Sequence, residues 1–459
     1  MNFWDNWQKG DTLAVVDSDD GPITYSDLHA RVDAAAADLA ARGERRFGML
    51  FMRNSAACLV AYLACLRARH VPLLLPDDLP QTLADALIAH YQPDWVMGAS
   101  VDGDCLAGSG LKIMARTVDG AAAPAIAPEL ALLLSTSGST GSPKLVRLSY
   151  KALQANASAI SRYLAISTDD RALTVLPPYY SYGLSVINSH LAAGAALLVR
   201  DVSVLSPEFA ASIQRHGVTS IAGVPYVYQM LYRTAFHKQE LGSLRTLTQA
   251  GGRLDDRLTQ AFGKIAAERG WKFFVMYGQT EATARISYVP PERLLEKVGS
   301  IGIAIPEGKI SLDPDNGEIL YHGPNVMMGY ALQRADLALG DELLGTLRTG
   351  DIGYQDEEGY SFVTGRLKRF IKLAGNRIGM DEVEQQLQKE LIVPVSAGGR
   401  DERLVIWLET ADAALADTAK QFVATRFRLH HSLCRIRTVE QLPLLPTGKK
   451  DYSALMADA

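Results

Sequence analysis

The sequence predicts an α/β protein: a large N-terminal domain of layered α/β subdomains that closes with a small β-rich subdomain, then a small α+β C-terminal domain. Three observations carry the prediction. The first third alternates helix-period segments with short, wholly apolar ones; from about residue 296 the chain turns to short strands cut by Gly, Pro, Asn and Asp; the last stretch combines two helical patterns with an apolar strand. A chain of 459 residues also exceeds what one core accommodates.

"ITYSDLHARVDAAAADLAARG" places apolar residues at helical spacing and stops at Gly43. "FGMLFM", Phe47–Met52, is apolar on both faces, as a strand covered from both sides must be. "SAACLVAYLACLRARHVPLLLP" repeats the unit, a helix and then a strand stopped by Pro76. "ALTVLPPYY", "AALLVRDVSVL" and "TSIAGVP" supply strands through the middle. "GKISLDPDNGEILYHGPNVMMGY" and "GDIGYQDEEGYSFVTGR" make the β-rich subdomain, and "MDEVEQQLQKEL", "RLVIWLE" and "ALADTAKQFVATRF" read as helix, strand and helix.

Hydrophobic residues at 48% and charged ones at 21% exclude a disordered or fibrous chain. A net charge of −5 with scattered basic residues argues against a nucleic-acid partner. The acidic N-terminus lacks the apolar core of a signal peptide and no apolar run is long enough to span a bilayer, so a cytoplasmic location without membrane association is expected. Cys58, Cys65, Cys105 and Cys434 show no metal-like spacing and read as reduced core thiols.

"STSGSTGSPK", Ser135 to Lys144, calls for a chemical explanation. Small residues let successive N–H groups point inward, hydroxyls add donors, and the lysine adds a full charge, which together cradle phosphate. It is not a Walker loop, because Pro143 precedes the lysine and Leu145 follows it. On these residues alone a polar surface loop remains open.

Four further stretches follow in order: "QAGGRLDD" from Gln249, "MYGQTEA" from Met276, "RTGDIGY" from Arg348 through "TGRLKRFIKLAGNRI", and "LPTGKK" from Leu445. Together with the first, and across nearly the whole chain, they resemble the adenylate-forming superfamily of acyl- and aryl-CoA synthetases, adenylation enzymes and luciferases. The resemblance implies an N-terminal domain, residues 1–366, that binds ATP and a carboxylic acid, and a mobile C-terminal domain, residues 367–459, that swings about a hinge at Lys368. It implies that Thr136, Ser137, Gly138, Ser139, Thr140 and Gly141, with Lys144, cover the β- and γ-phosphates. Gly251 and Gly252 would lie beside adenine and the acid pocket. Tyr277, Gly278 and Gln279 would line the nucleotide, Thr280 would contact the α-phosphate and Glu281 would hold Mg²⁺. Asp351 would accept the ribose hydroxyls, joined by Arg366, and Lys372 would touch the nucleotide. Gly375 would begin the loop lining the thiol tunnel. Lys449 would come between the attacking carboxylate and the α-phosphate, where two anions meet and a positioned ammonium stabilises them; Lys450 beside it is expected to be exposed.

The implied reaction is formation of an acyl-AMP from acid and Mg-ATP, then transfer to a phosphopantetheine thiol of CoA or a discrete carrier protein. "LPPYYSYGLSVINSHLAAGA" from Leu176 corresponds to the acid-pocket entrance, with Tyr180 where relatives carry histidine and Gly183 beyond it. It contains no acidic residue to pair with an α-ammonium, which favours a fatty, hydroxy or aryl acid, an amino acid being the alternative. Tyr179 and Tyr182 read as core aromatics. Only ten residues follow Lys449, so the acceptor is expected to be CoA or a separate carrier. A kinase would need a γ-phosphate base and no C-terminal lysine motif. A catalytically silent nucleotide binder is disfavoured by Lys144, Glu281, Asp351, Arg366 and Lys449 together, and a luciferase-like oxygenase shares the motifs.

Overall fold

The fold is that of a computed structural model, described for residues 2–5, 10–18, 20–116, 125–135, 144–367, 369–373, 376–427, 429–445 and 450–457, with 376–377 described for the backbone alone. It is the predicted α/β architecture. Contacts along the chain separate two compact units, Met1–Lys309 with Tyr321–Leu347, and Ile310–Leu320 with Arg348–Ala459. The expected division between residues 366 and 367 falls inside the second unit, between strands Ser361–Arg366 and Phe370–Leu373.

Among the described residues the first unit holds two large sheets. One has nine strands, with Arg171–Leu173, Ser220–Gly223, Thr246–Gln249 and Lys272–Tyr277 adjacent and parallel. Their register aligns Gly223, Gln249 and Val275. The loops that leave them, Val224–Pro225, Ala250–Gly252 and Gly278–Glu281, therefore emerge at one edge, the carboxyl ends where open α/β sheets bind ligands. The second sheet has eight strands. Phe47–Met52 is central in it, five of six residues fully buried, flanked in parallel by Val71–Pro76 and Trp95–Gly98. Leu130–Ser135 runs antiparallel to Leu145–Ser149 with Ser135 opposite Leu145, so the glycine-hydroxyl stretch connects two paired strands.

Helices form where the spacing places them. Tyr25–Ala41 opens on a capping box in which the Thr24 hydroxyl accepts from the Asp27 N–H and the Asp27 carboxylate accepts from the Thr24 N–H. Ala56–Arg67 is buried almost all round, as a helix between two layers must be.

The β-rich part forms a four-stranded sheet of Lys309–Leu312, Glu318–His322, Thr346–Gln355 and Ser361–Arg366. One strand read as belonging to it does not. Gly329–Ala331 pairs with Leu145–Ser149 in the eight-stranded sheet, because its apolar neighbours Val326, Met327 and Met328 are buried in the first unit. The last segment carries a three-stranded sheet of Val395–Arg400, Arg403–Glu409 and Cys434–Val439, with helices Met380–Leu391 and Ala414–Phe427. Val383, Leu387, Ile406, Leu408, Ala419 and Val423 form its core. Cys58, Cys65 and Cys434 are buried thiols, but Cys105 is exposed on a two-residue edge strand, correcting the reading of all four as core. No helix among the described residues is long and apolar enough to cross a membrane.

Candidate active site

In the first unit residues from two distant motifs meet at one tyrosine. Lys144 Nζ lies 4.0 Å from the centroid of Tyr330, and Tyr330 Oη donates a 2.8 Å hydrogen bond to Glu281 Oε1. Strand register brings the first pair together, since Tyr330 opposes Val146, two residues after Lys144. Glu281 stands in a short 3₁₀ turn, Thr280–Ala282, whose place is fixed by the Met327 N–H donating to the Glu281 carbonyl at 2.9 Å. Burial, reinforced by the charge of Glu281, pushes the Tyr330 hydroxyl well above its ordinary pKa, so it stays a proton donor.

Around that turn the hydroxyls of Thr280 and Ser181 lie 3.1 Å apart, and Gln279 Nε2 donates to Tyr277 Oη at 3.0 Å. Gly278 is dictated by packing: a Cβ there would meet the Ala284 carbonyl oxygen at 1.7 Å. Gly183 lies in helix Ser181–Ala192, where a Cβ would meet the Pro177 carbonyl at 2.2 Å, so it fits the helix against the Leu176–Pro177 turn. Gly251, at φ +84°, gives its space to Tyr180, whose hydroxyl would lie 2.6 Å from a Cβ. Gly252 faces the ring of Pro225. Tyr182 is a core aromatic with its hydroxyl donating to the Thr248 carbonyl at 2.9 Å, and Tyr179 is half-buried.

In the second unit Asp351 is only 3% exposed, and its Oδ1 accepts from Arg366 Nε at 2.9 Å. The two face each other in the antiparallel register of their strands. Buried Glu318 shapes the approach, pairing with Arg348 and accepting the Gly350 N–H at 2.9 Å. A buried carboxylate at a strand bend suits recognition of paired hydroxyls, to which it offers acceptor oxygens. Lys372 points to solvent while its backbone is clamped by the Asp401–Glu402 turn, accepting from the Glu402 N–H at 2.7 Å and donating to Asp401 Oδ1 at 2.8 Å.

Lys450 is not exposed as expected. Its side chain is 29% exposed and its Nζ donates to Oε2 of the buried Glu384 at 2.8 Å, an attraction that outweighs solvation of the ammonium. Thr136, Ser137, Gly138, Ser139, Thr140, Gly141, Lys368, Gly375 and Lys449 lie outside the described residues. Tyr330, Ser181 and Glu384 escaped sequence reasoning. No motif marks them, and only the pairing of distant segments gives them partners.

Among the described residues no group of three or more His, Cys, Asp or Glu is placed to hold a metal ion. The single carboxylate of Glu281 fits Mg²⁺, which takes one or two protein carboxylates and completes its octahedron with phosphate oxygens and water.

A family model described as AMP-binding enzyme matches residues 3–331. An indoleacetate–CoA ligase of Aromatoleum aromaticum is 32% identical over 489 residues, covering 95% of this chain and 93% of that one. The 4-coumarate–CoA ligase 5 of Oryza sativa subsp. japonica is 28% identical over 98% of this chain and 92% of its own. Among solved structures, the O-succinylbenzoate coenzyme A synthetase of Bacillus subtilis in complex with ATP and magnesium ion superposes with a TM-score of 0.74 at 25% identity, covering 96% of this chain and 95% of that one.

Proposed function

Because the chain belongs to the AMP-binding enzymes, the adenylate-forming superfamily of acyl- and aryl-CoA ligases, we propose that its acid carries no α-ammonium and that its acceptor is the thiol of CoA. The protein is an AMP-forming acid–thiol ligase: a carboxylic acid and ATP give an acyl-adenylate and pyrophosphate, and a thiol then displaces AMP. Mg²⁺ supplies charge neutralisation on the triphosphate when bound.

The observation that carries the choice of acid is the lack of a carboxylate for an ammonium. Residues 176–195 contain none. A buried ammonium without a partner is strongly disfavoured. For the acceptor, the support is that the relatives named above are CoA ligases.

The residues take these roles in the proposal. Lys144, with the Thr136 to Gly141 loop, neutralises the β- and γ-phosphates, Thr280 contacts the α-phosphate, and Glu281, oriented by Tyr330, holds Mg²⁺. Tyr277, Gly278, Gln279, Gly251 and Gly252 bound the adenine, with Tyr180 and Gly183 toward the acid. Asp351 and Arg366 hold the ribose, Lys368 is the hinge between domains 1–366 and 367–459, and Lys372 reaches the nucleotide. Lys449 serves adenylation and the Gly375 loop serves thiolation, exchanged by rotation of the C-terminal domain.

Acid-dependent exchange of pyrophosphate into ATP, followed by mass spectrometry of thioester formed with CoA or with carrier proteins, tests the proposal. Activation of acids without an α-amino group, thioester on CoA, and a ~10²–10³-fold slower exchange in Lys449→Ala are expected. Preference for amino acids, or loading of carriers alone, would overturn it.

A further inference from the structure

Arg285, four residues beyond Glu281, is 1% exposed, and its Nε has no hydrogen-bond partner. Among the described residues no carboxylate pairs with its guanidinium, whose neutral hydrogen-bonding neighbour is the Tyr163 hydroxyl. The cation lies 4.0 Å from the ring centroid of Tyr182, Tyr182 meets Tyr180 edge-on at 6.3 Å, and the Tyr180 hydroxyl fills the space a Gly251 side chain would need. A chain of packed side chains thus connects the glycine motif to a buried positive charge.

The backbone holds that charge in place. Thr283 and Ala284 adopt φ of 56° and 113°, the left-handed region that L-residues enter only when the surroundings insist. The Arg285 carbonyl accepts from Asn325 Nδ2 at 2.8 Å and from Asn156 Nδ2 at 3.4 Å, both side chains buried. Arg285 lines a cavity of about 250 Å³ that runs along the sheet face to the amino ends of the strands, where its other charged groups are Arg245, Lys272 and the already paired Asp170. The cavity is therefore positive on balance. Burying a guanidinium is costly unless it is paired, and an aromatic face compensates only part of that cost.

We infer that Arg285 is the counter-ion for a second anionic group, a carboxylate or sulfonate, at the end of the acid substrate remote from the reacting carboxylate. This deepens the ligase reading and rests on it. The substrate class is then a dianionic acid, which leaves one charge to react at the α-phosphate and neutralises the other in the protein interior. Arg285 acts on binding of the acid, so its effect belongs in KM for the acid.

The test uses the full-length enzyme and matched acids whose remote carboxylate or sulfonate is replaced by a neutral carboxamide. Wild type is expected to favour the dianionic member by at least ~30-fold in kcat/KM, Arg285→Gln to lose that preference through KM, and Arg285→Lys to retain part of it. A merely structural arginine would lower activity toward both members alike. Equal use of the matched acids by wild type, or an undiminished preference in Arg285→Gln, overturns the inference while leaving the ligase intact. If Arg285→Gln does not fold, the wild-type preference and the Arg285→Lys ratio decide. Failure of every acid to support pyrophosphate exchange overturns the ligase reading itself.

Discussion

Lys450 Nζ and Glu384 Oε2 lie 2.8 Å apart, and this ion pair anchors the residue that follows Lys449 in the chain. Glu384 Oε1 also accepts from Arg369 Nη2 and from the Ala397 N–H, each at 2.8 Å, while Tyr452 Oη donates to Oε2 at 3.1 Å. Leu444 and Lys450 form a β-bridge, and the Asp451 N–H donates to the Pro443 carbonyl at 2.8 Å. Burial pushes the Glu384 carboxyl up, yet Lys450 and Arg369 outweigh it and hold it below the usual carboxylate range.

Glu384→Gln leaves Arg369 and Lys450 without their shared anion. The expected loss is ~3–5 kcal/mol of stability in the second unit, together with a drop in adenylation of at least ~10-fold, because Lys450, the neighbour of Lys449, loses its anchor. Thermal unfolding and pyrophosphate exchange measure the two. Adenylation at the wild-type rate in folded Glu384→Gln would show that the pair does not position Lys449. Because the folded pKa is depressed, the stabilisation is present above the unfolded carboxyl value and is lost as pH falls through the folded one.

Tyr330→Phe removes the donor to Glu281 and keeps the ring beneath Lys144. Hydrogen bonds to charged groups make a ~10-fold rise in KM for Mg-ATP the expected outcome, and Tyr330→Ala, which also removes the ring, should cost more. Titrations of Mg²⁺ and ATP check this. Identical metal dependence in Tyr330→Phe and wild type would deny that the hydroxyl orients Glu281.

Asp351→Asn is expected to raise KM for ATP by ~10–100-fold and to erase discrimination between ATP and 2′-deoxy-ATP, with KM for the acid unchanged. Steady-state kinetics with both nucleotides read it directly. Retained discrimination would place the ribose contact elsewhere.

His70 is 1% exposed, and burial lowers its pKa to about 4. Between about 6.5 and 4 the unfolded chain binds a proton that the folded one refuses, so stability should fall by up to ~3 kcal/mol as pH drops through that window. Denaturant unfolding of wild type and His70→Leu across this range tests it. The variant should show a shallower slope, and parallel curves would remove His70 as a cause.

Local periodicity and composition were enough to determine the alternating α/β layers, the β-rich segment, the helices at Tyr25–Ala41 and Met380–Leu391, and the order of the motifs. Apolar spacing is a property of neighbouring residues and needs no knowledge of the rest of the chain. Tertiary structure alone decided which distant groups meet. Gly329–Ala331 left the β-rich segment for the large sheet and so delivered Tyr330 to Lys144 and Glu281, while a backbone turn at Thr283–Ala284 carried Arg285 inward. Lys450 looked like half of a solvated lysine pair until Glu384, 66 residues away, supplied a buried anion. Such partnerships depend on register and crossover between segments, and burial gives a charge its importance only once the fold has removed the water around it.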